Sequence, residues 1–570
     1  MENPFQLPIQ YLDPKEVYIL SDTVAADLEL SAIDASSNTM YHHLMNPTTQ
    51  FEETLIPLWK KHYTTNVDFL EETQEVVSSV GICCQTVTNE DYESIMAVWR
   101  DTKEDPNFLE RYSYMEFEML KWVNKMPSFL QAMTVVNMAS PVLSFLIPFV
   151  LFLMPFFIVK MQGYPITFNI YMSVLKDISK NHFIGKMLAN MENFTIESVL
   201  YVLALLGLYI YQIYQNYMAC TRFYENIRRI NEQLFYLQRY LDVSISSMET
   251  FSRVIKNQST YSPFHTSMMT QYAQLQKLRT HLYGIRMFEP SLSKIGEVGT
   301  LLECYYEVHS NKEYEAAILY SFSFHGYVKN MLGLFENLQK GVIGKASFAT
   351  DISGLVIKNQ YYPALVNESF VTNDANIAKN MVITGPNAAG KTTFLKTTML
   401  NIIFSQQFGC GFYTDCSIHP YTHIHSYLNI PDTSGRDSLF QAESRRCKEI
   451  IDDVLFTDGS ARHFCIFDEL YSGTNPAEAT KSAYAFLLWL SERKNVDFIL
   501  TTHYVSICSR FIKSKARIAN WKMDAVQDDS GDITYSYKIV KGVSKIQGAI
   551  KVLRDMEYPP EILKSIVEYE

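Results

Sequence analysis

The sequence predicts a multidomain protein of the α + α/β class: an all-α region interrupted by a transmembrane hairpin, then a C-terminal α/β domain. Three observations predict it. The apolar run Met381–Thr384 enters a glycine loop, Gly385-Pro386-Asn387-Ala388-Ala389-Gly390-Lys391-Thr392-Thr393, which opens a helical pattern from Phe394. Two further apolar runs, His463–Phe467 and Asp497–Thr502, end in Asp468-Glu469 and in His503, as buried parallel strands do when they deliver polar groups to one sheet edge. Upstream, Met126–Val159 and Ser198–Thr221 run without a charge, and Val142–Val159 alone is long enough to cross a bilayer.

At 570 residues the chain has room for three or four domains. Its net charge of −12 gives no global attraction to nucleic acid. None of the nine cysteines forms a C-x-x-C pair, so they read as reduced thiols without a zinc site. The N-terminus shows no basic stretch followed by an apolar run, and no cleaved signal peptide is expected.

Residues 1–135 read as a helical domain. Asn46-Pro-Thr-Thr49 makes a turn and offers a cap ahead of Phe51, Leu55, Leu58 and Trp59, with Pro57 interrupting that helix. Val67, Leu70 and Val77, with Phe69, Val76 and Val80, give a second, amphipathic helix.

Residues 136–217 form the hairpin, with 160–197 as its connection. Pro148 and Pro155 are better tolerated in a lipid-spanning helix than in a soluble one, and Tyr211, Tyr214 and Tyr217 make an interfacial border before Arg222. A pair of buried core helices is the alternative. Loop lysines and arginines do not decide the orientation, and Asn193-Phe-Thr195 is a glycosylation triplet of a kind frequent by chance. In the span 218–345, Phe223, Ile227, Ile230, Leu234, Leu237 and Leu241 recur at steps of four and three. A coiled-coil lever continuing the second apolar helix and a seam inside a helical bundle both fit that pattern.

In the span 346–570 the glycine loop fits G-x-x-x-x-G-K-T, an anion nest at a helix N-terminus. Lys391 is placed to reach β- and γ-phosphates, and the Thr392 hydroxyl to hold Mg²⁺. Asp468 would organise that ion, Glu469 would polarise an attacking water, and His503 would contact the γ-phosphate. ATP and Mg²⁺ are therefore the expected cofactors. His419, His423 and His425 cluster, but no further ligand is signalled and an ordinary loop or strand is expected.

The matching stretches extend well beyond the loop: Ile383–Thr393, Gln407–Cys410, Ser434–Glu443, Asp468–Thr474 and Thr501–Tyr504, with Tyr362–Leu365 and Phe370–Asp374 before them and Tyr537–Gly542 and Tyr558–Leu563 after. Over residues 351–570 the chain resembles the ATPase domain of the MutS family, the DNA mismatch repair ATPases. Asn46–Thr49 ahead of a helix carrying Trp59 is similar to the start of that family's helical core. The resemblance implies an ABC-type P-loop fold and a homodimer with composite ATP sites, in which Ser438 is presented to the partner's γ-phosphate. It further implies that Phe370 stacks on adenine and that Asn387 is the loop asparagine. Two departures stand out: Ala389 replaces a usual glycine, and Asp437 sits beside Ser438.

The family's activity would make this an ATP-dependent clamp and lever acting on DNA in mismatch repair or recombination. The chain reads, however, as a short form without the mismatch-binding domain. Phe-x-Glu triplets such as Phe69-Leu-Glu71 and Phe108-Leu-Glu110 fall inside predicted helices. The competing reading is a membrane-anchored mechanical ATPase that recognises no mismatch. It places the protein in a membrane with the ATPase domain facing the cytosol; a soluble cytoplasmic or nuclear protein is the alternative. An exporter is disfavoured by the small number of spans and the missing L-S-G-G-Q.

Overall fold

The computed structural model describes residues 3–31, 38–83, 87–179, 196–289, 296–349, 354–366, 370–428, 430, 438–527, 533–546 and 548–568. Asn193-Phe-Thr195, part of the 160–197 connection and Asp437 lie outside them. The chain forms two units: Val87–Ile245 with Ala273–Ile318, and Met1–Thr86 with Ser246–Tyr272 and Leu319–Glu570. These cut across the four spans drawn from the sequence.

The first unit is helical. Its first long helix, α1 (Pro127–Met161), contains Pro141, Pro148 and Pro155. A second helix, α2 (Ile196–Ile255), runs 60 residues without a break and contributes to both units. Proline has no N–H, so Pro148 leaves the carbonyl four residues earlier, that of Ser144, without its helical partner. The Tyr209 hydroxyl of α2 donates to that carbonyl at 2.8 Å, and Asn216 Nδ2 donates to Ser144 Oγ at 2.5 Å. The apolar side chains around this contact face outward: Leu143 and Phe149 on α1 and Leu203 and Leu208 on α2 are all more than half exposed. Pro127–Val150 and Val199–Ile255 are long and apolar enough to cross a membrane, by length and composition. Part of the predicted connection is itself helical, Phe168–Ser179.

The heptad seam of α2 is an intrachain one. Phe223, Ile227, Ile230, Leu234, Leu237 and Leu241 are all buried within this single chain. Phe108 is likewise core, its ring stacked on His309 at a centroid distance of 3.9 Å.

The second unit is built on a six-stranded sheet. Its strands are β1 (Asn380–Thr384), β2 (His423–Tyr427), β3 (His463–Asp468), β4 (Val496–Thr502), β5 (Ile518–Gln527) and β6 (Ile533–Lys541), in the spatial order β6-β5-β1-β4-β3-β2. All neighbours are parallel except β5 and β6. The helices of this unit include α3 (Lys391–Phe408), α4 (Leu439–Phe456), α5 (Pro476–Ser491) and α6 (Val505–Ser514). Val382, Phe467, Phe498 and Leu500 of the sheet pack with Phe486 and Leu487 of α5 and Phe511 of α6. Continuous apolar runs such as Phe464–Phe467 are what a sheet buried on both faces requires. A smaller five-stranded sheet, including Val356–Gln360 and Asp415–Ile418, belongs to the same unit.

The first 86 residues are part of this unit rather than a separate body. The reason lies in α3, which is buried along its whole C-terminal half. There Gln406 Nε2 donates to Thr64 O at 3.1 Å, and Gln407 Nε2 donates to Trp59 O and His62 O, both at 2.8 Å. Tyr41 OH donates back to Gln407 Oε1 at 3.0 Å. Pro57 sits in the first turn of a separate short helix, Ile56–Trp59, where its missing N–H costs nothing.

The same segment lies directly on the helix Lys312–Gln339. A Cβ at Gly326 would fall 2.1 Å from Phe51 O, and one at Gly333 only 1.8 Å from Met45 O. Gly333→Ala should therefore lower unfolding stability by about 1–3 kcal/mol in denaturant melts. Gly459→Ala, with nothing within 4 Å of the added carbon, is the control and should stay close to wild type.

Candidate nucleotide site

β1 is buried at every residue and delivers the chain to Gly385. The loop then turns through two left-handed residues, Ala388 at φ +61° and Gly390 at φ +90°, which point successive N–H groups to one side. Ala389 is outside the left-handed region, so a methyl there in place of hydrogen brings no backbone strain; Ala388 is the residue that carries it.

Lys391 opens α3 and is only 6% exposed. Its Nζ folds back onto the loop, donating to Gly385 O at 3.0 Å and Pro386 O at 3.1 Å. Burial lowers its pKa, while the nearby Glu469 and Asp468 carboxylates oppose that shift. Thr392 Oγ1 donates to Asp468 Oδ2 at 2.8 Å, and the Thr501 hydroxyl donates to Asp468 Oδ1. Asp468 ends β3 directly opposite Thr501 of β4. Hydroxyl and carboxylate oxygens side by side are the donor set that a hard divalent cation such as Mg²⁺ takes, so these residues fit that ion.

The chain turns sharply after Asp468: Glu469 and Tyr471 are both left-handed, at φ +52° and +61°. Such strained residues aim a side chain. Glu469 N donates to Thr501 O at 3.1 Å, and its carboxylate lies 2.8 Å from His503 Nε2. That hydrogen bond holds the Glu469 pKa below the usual carboxylate value, against a partial rise from burial. His503 Nε2 also lies 3.3 Å from Lys391 Nζ. One ring nitrogen cannot donate to Glu469 and accept from Lys391 at once. The shorter pairing assigns its proton to the Glu469 bond and leaves Lys391 to the loop carbonyls.

A cavity of about 690 Å³ opens over the loop, within the range of nucleotide-sized sites. Asn387, Ala388, Gly390, Lys391, Thr392, Thr393, Glu469 and Phe370 line it, while Gly385, Pro386, Ala389, Asp468 and His503 are not among its lining residues. Phe370 stacks on Tyr361 at 4.3 Å and keeps 38% of its surface exposed. Tyr361, Met523 and Tyr537 also line the cavity and were not foreseen as site residues. Tyr361 stood next to the quoted Tyr362–Leu365 stretch; Tyr537 is left-handed at φ +55° within β6, a bend no sequence pattern marks.

Ser438 is not among the lining residues. It is the exposed N-cap of α4, its Oγ accepting from Gln441 N at 3.4 Å while Gln441 Oε1 accepts from Ser438 N at 2.9 Å. Farther along α4, the buried Glu443 accepts from Ser472 N and Oγ, both at 2.9 Å, and from Gly473 N at 3.1 Å. It thereby ties α4 to the turn that follows Glu469. Of the histidine cluster, His425 pairs with a further histidine: its Nε2 lies 3.1 Å from His463 Nδ1, and burial pulls their pKa values down to about 3 and about 4. Both are neutral strand residues at pH 7.

Comparison with known proteins bears on this half of the chain. Residues 381–569 match the family model of MutS domain V. The DNA mismatch repair protein Msh3 of Dictyostelium discoideum is 24% identical over 231 residues, covering 37% of this chain and 16% of that protein. The DNA mismatch repair protein MutS of Leuconostoc mesenteroides is 26% identical over 223 residues, covering 38% of this chain and 25% of that protein. The endonuclease MutS2 of Clostridioides difficile is 27% identical over 218 residues, covering 38% and 26% respectively. The matches thus span a quarter or so of each relative at most, and on them the C-terminal part of this chain is similar to domain V of MutS proteins.

Proposed function

We propose that the chain is an ATPase that hydrolyses ATP with Mg²⁺ at this site and works as a homodimer with composite sites. The observation that carries the reading is the convergence of Lys391, the Thr392–Asp468 pair and the Glu469–His503 pair on one cavity. Lys391 exchanges its two loop carbonyls for β- and γ-phosphate oxygens. Thr392 and Asp468 would hold Mg²⁺, which would supply charge neutralisation at the phosphates. Glu469, kept ionised by His503, orients and deprotonates the attacking water, and His503 lies within reach of the γ-phosphate. Phe370 offers its exposed face to the base. Ser438, standing free of its own cavity, completes the site of a second copy.

On this reading, closing and opening of the dimer drives helical levers that act on DNA, as a clamp in mismatch repair or recombination. A second reading is favoured by one feature, the outward-facing apolar helices α1 and α2: a mechanical ATPase anchored in a membrane, its nucleotide domain in the cytosol. The two readings separate on salt. A DNA clamp's hydrolysis should be stimulated by DNA, with stimulation falling steeply as salt rises; stimulation by lipid vesicles and not by DNA supports the anchored motor.

Lys391→Ala should lower phosphate release by about 10²-fold or more. Unchanged turnover would remove this site assignment. Glu469→Gln should bind ATP, stall, and accumulate a closed dimer on sizing chromatography.

His503→Ala should act on the pH profile. The hydrogen bond from His503 lowers the Glu469 pKa, so its loss lets that pKa rise toward the ordinary carboxylate range. Because the ionised form is the working one, the acid limb of kcat should move to higher pH, with the alkaline side unchanged. In the intact protein the stabilisation from this half-exposed pair is full above the ordinary carboxylate range and is lost as pH falls through the lowered value. An acid limb that stays in place would show that His503 does not set the ionisation of Glu469.

A further inference from the structure

We infer that His281, Glu303 and Cys304 form a site for one Zn²⁺ ion, which ties two helices together within the helical unit and uses no residue of the nucleotide site. The helix Ser262–His281 ends on the histidine, and Glu303 and Cys304 are consecutive in the helix Val298–Ser310. All three residues belong to the same unit. An imidazole nitrogen, a carboxylate oxygen and the thiol sulfur lie within 4.8 Å of one another. No C-x-x-C spacing marks such a site, because its ligands come from separate helices.

The donor set names the ion. Thiolate, imidazole and carboxylate are the ligand types of zinc, whereas Mg²⁺ and Ca²⁺ take oxygen. Zinc bonds of about 2.0–2.3 Å put tetrahedral ligand atoms about 3.4–3.6 Å apart. His281 Nε2 stands 3.1 Å from Glu303 Oε2, and the other separations, all within 4.8 Å, are of the size that side-chain rotation closes. An ion pair accounts for two of these residues. The thiol brings a third ligand, and a soft one, to the same point.

Burial and rigidity favour an ion there. Glu303 and Cys304 are 8% and 1% exposed, and a carboxylate so placed calls for a cation. Lys125 pairs with Glu307, one turn beyond Glu303, at 2.8 Å. The His281 side chain keeps 34% of its surface, which leaves an open side for a water as fourth ligand. The frame is held by Tyr114 OH donating to Leu302 O at 2.7 Å, Gly299 N donating to Gln131 Oε1 at 2.8 Å and Cys304 Sγ donating to His281 O at 3.6 Å. On binding, the thiol proton passes to solvent and Nε2 is left bare to take the metal.

The test titrates the metal-free full chain, purified in detergent, with Co²⁺ and then with Zn²⁺. A thiolate-to-cobalt charge-transfer band should saturate at one ion per chain and vanish as Zn²⁺ displaces the cobalt. The residues lining the nucleotide cavity include no cysteine, so the band does not report on them. Cys304→Ser should abolish it. His281→Ala, at an exposed position, should weaken Co²⁺ binding by at least the about 10–100-fold that loss of an outer partner costs. Cys220→Ser, on α2, should bind as wild type does. A wild-type chain without the band overturns the inference, as does a band that survives Cys304→Ser. If Cys304→Ser does not fold, His281→Ala decides, and unchanged affinity in it also overturns the inference.

Discussion

The Asp468 carboxylate joins three elements at one point. One oxygen takes the Thr392 hydroxyl from the first turn of α3, and the other takes the Thr501 hydroxyl from β4, while the residue itself ends β3. This bond set fixes how far the glycine loop stands from the strand ends that carry Glu469 and His503. It depends in turn on register: Asp468 must lie opposite Thr501, which the parallel pairing from His463 with Val496 onward enforces. A one-residue slip would send Asp468 to the other face of the sheet. The buried apolar runs on both strands are therefore what holds the chemistry together.

The helix that begins at the glycine loop needs its far end held as well. α3 achieves this with polar rather than apolar residues. Gln406 and Gln407, fully buried, would each cost free energy without partners, and their partners are backbone carbonyls of the N-terminal segment. Gln406 also accepts from Tyr421 N at 2.8 Å and donates to Tyr421 O at 2.8 Å, so the same helix end grips the approach to β2. The N-terminal residues and the nucleotide site are for this reason parts of one folded body.

Sequence revealed what was local and left hidden what depends on register or reach. The loop, Asp468, Glu469 and His503 each mark themselves, because each ends an apolar run whose length betrays a buried strand. Thr501 did not, since its role exists only once β3 and β4 are aligned. Gln407 was visible only as part of a stretch resembling a family; its contact with Trp59 spans 348 positions of chain. The α2 seam illustrates a different limit. Steps of four and three describe a helix that buries one stripe, but do not say whether the covering surface belongs to the same chain or to another. In this chain all six residues are buried.

The prolines of α1 free a backbone carbonyl that a neighbouring helix takes up. In water, the carbonyl freed by Pro148 would be hydrated, and a tyrosine hydroxyl on a neighbouring helix would gain little by reaching it. In hydrocarbon there is no water to take that place, and an unsatisfied carbonyl costs several kcal/mol. The Tyr209 hydroxyl would face the same penalty if left alone. A single contact at 2.8 Å removes both costs, and Asn216 removes a third by donating to the Ser144 hydroxyl. Polar groups thus satisfy one another between two helices, beneath a surface of exposed leucine, phenylalanine and valine.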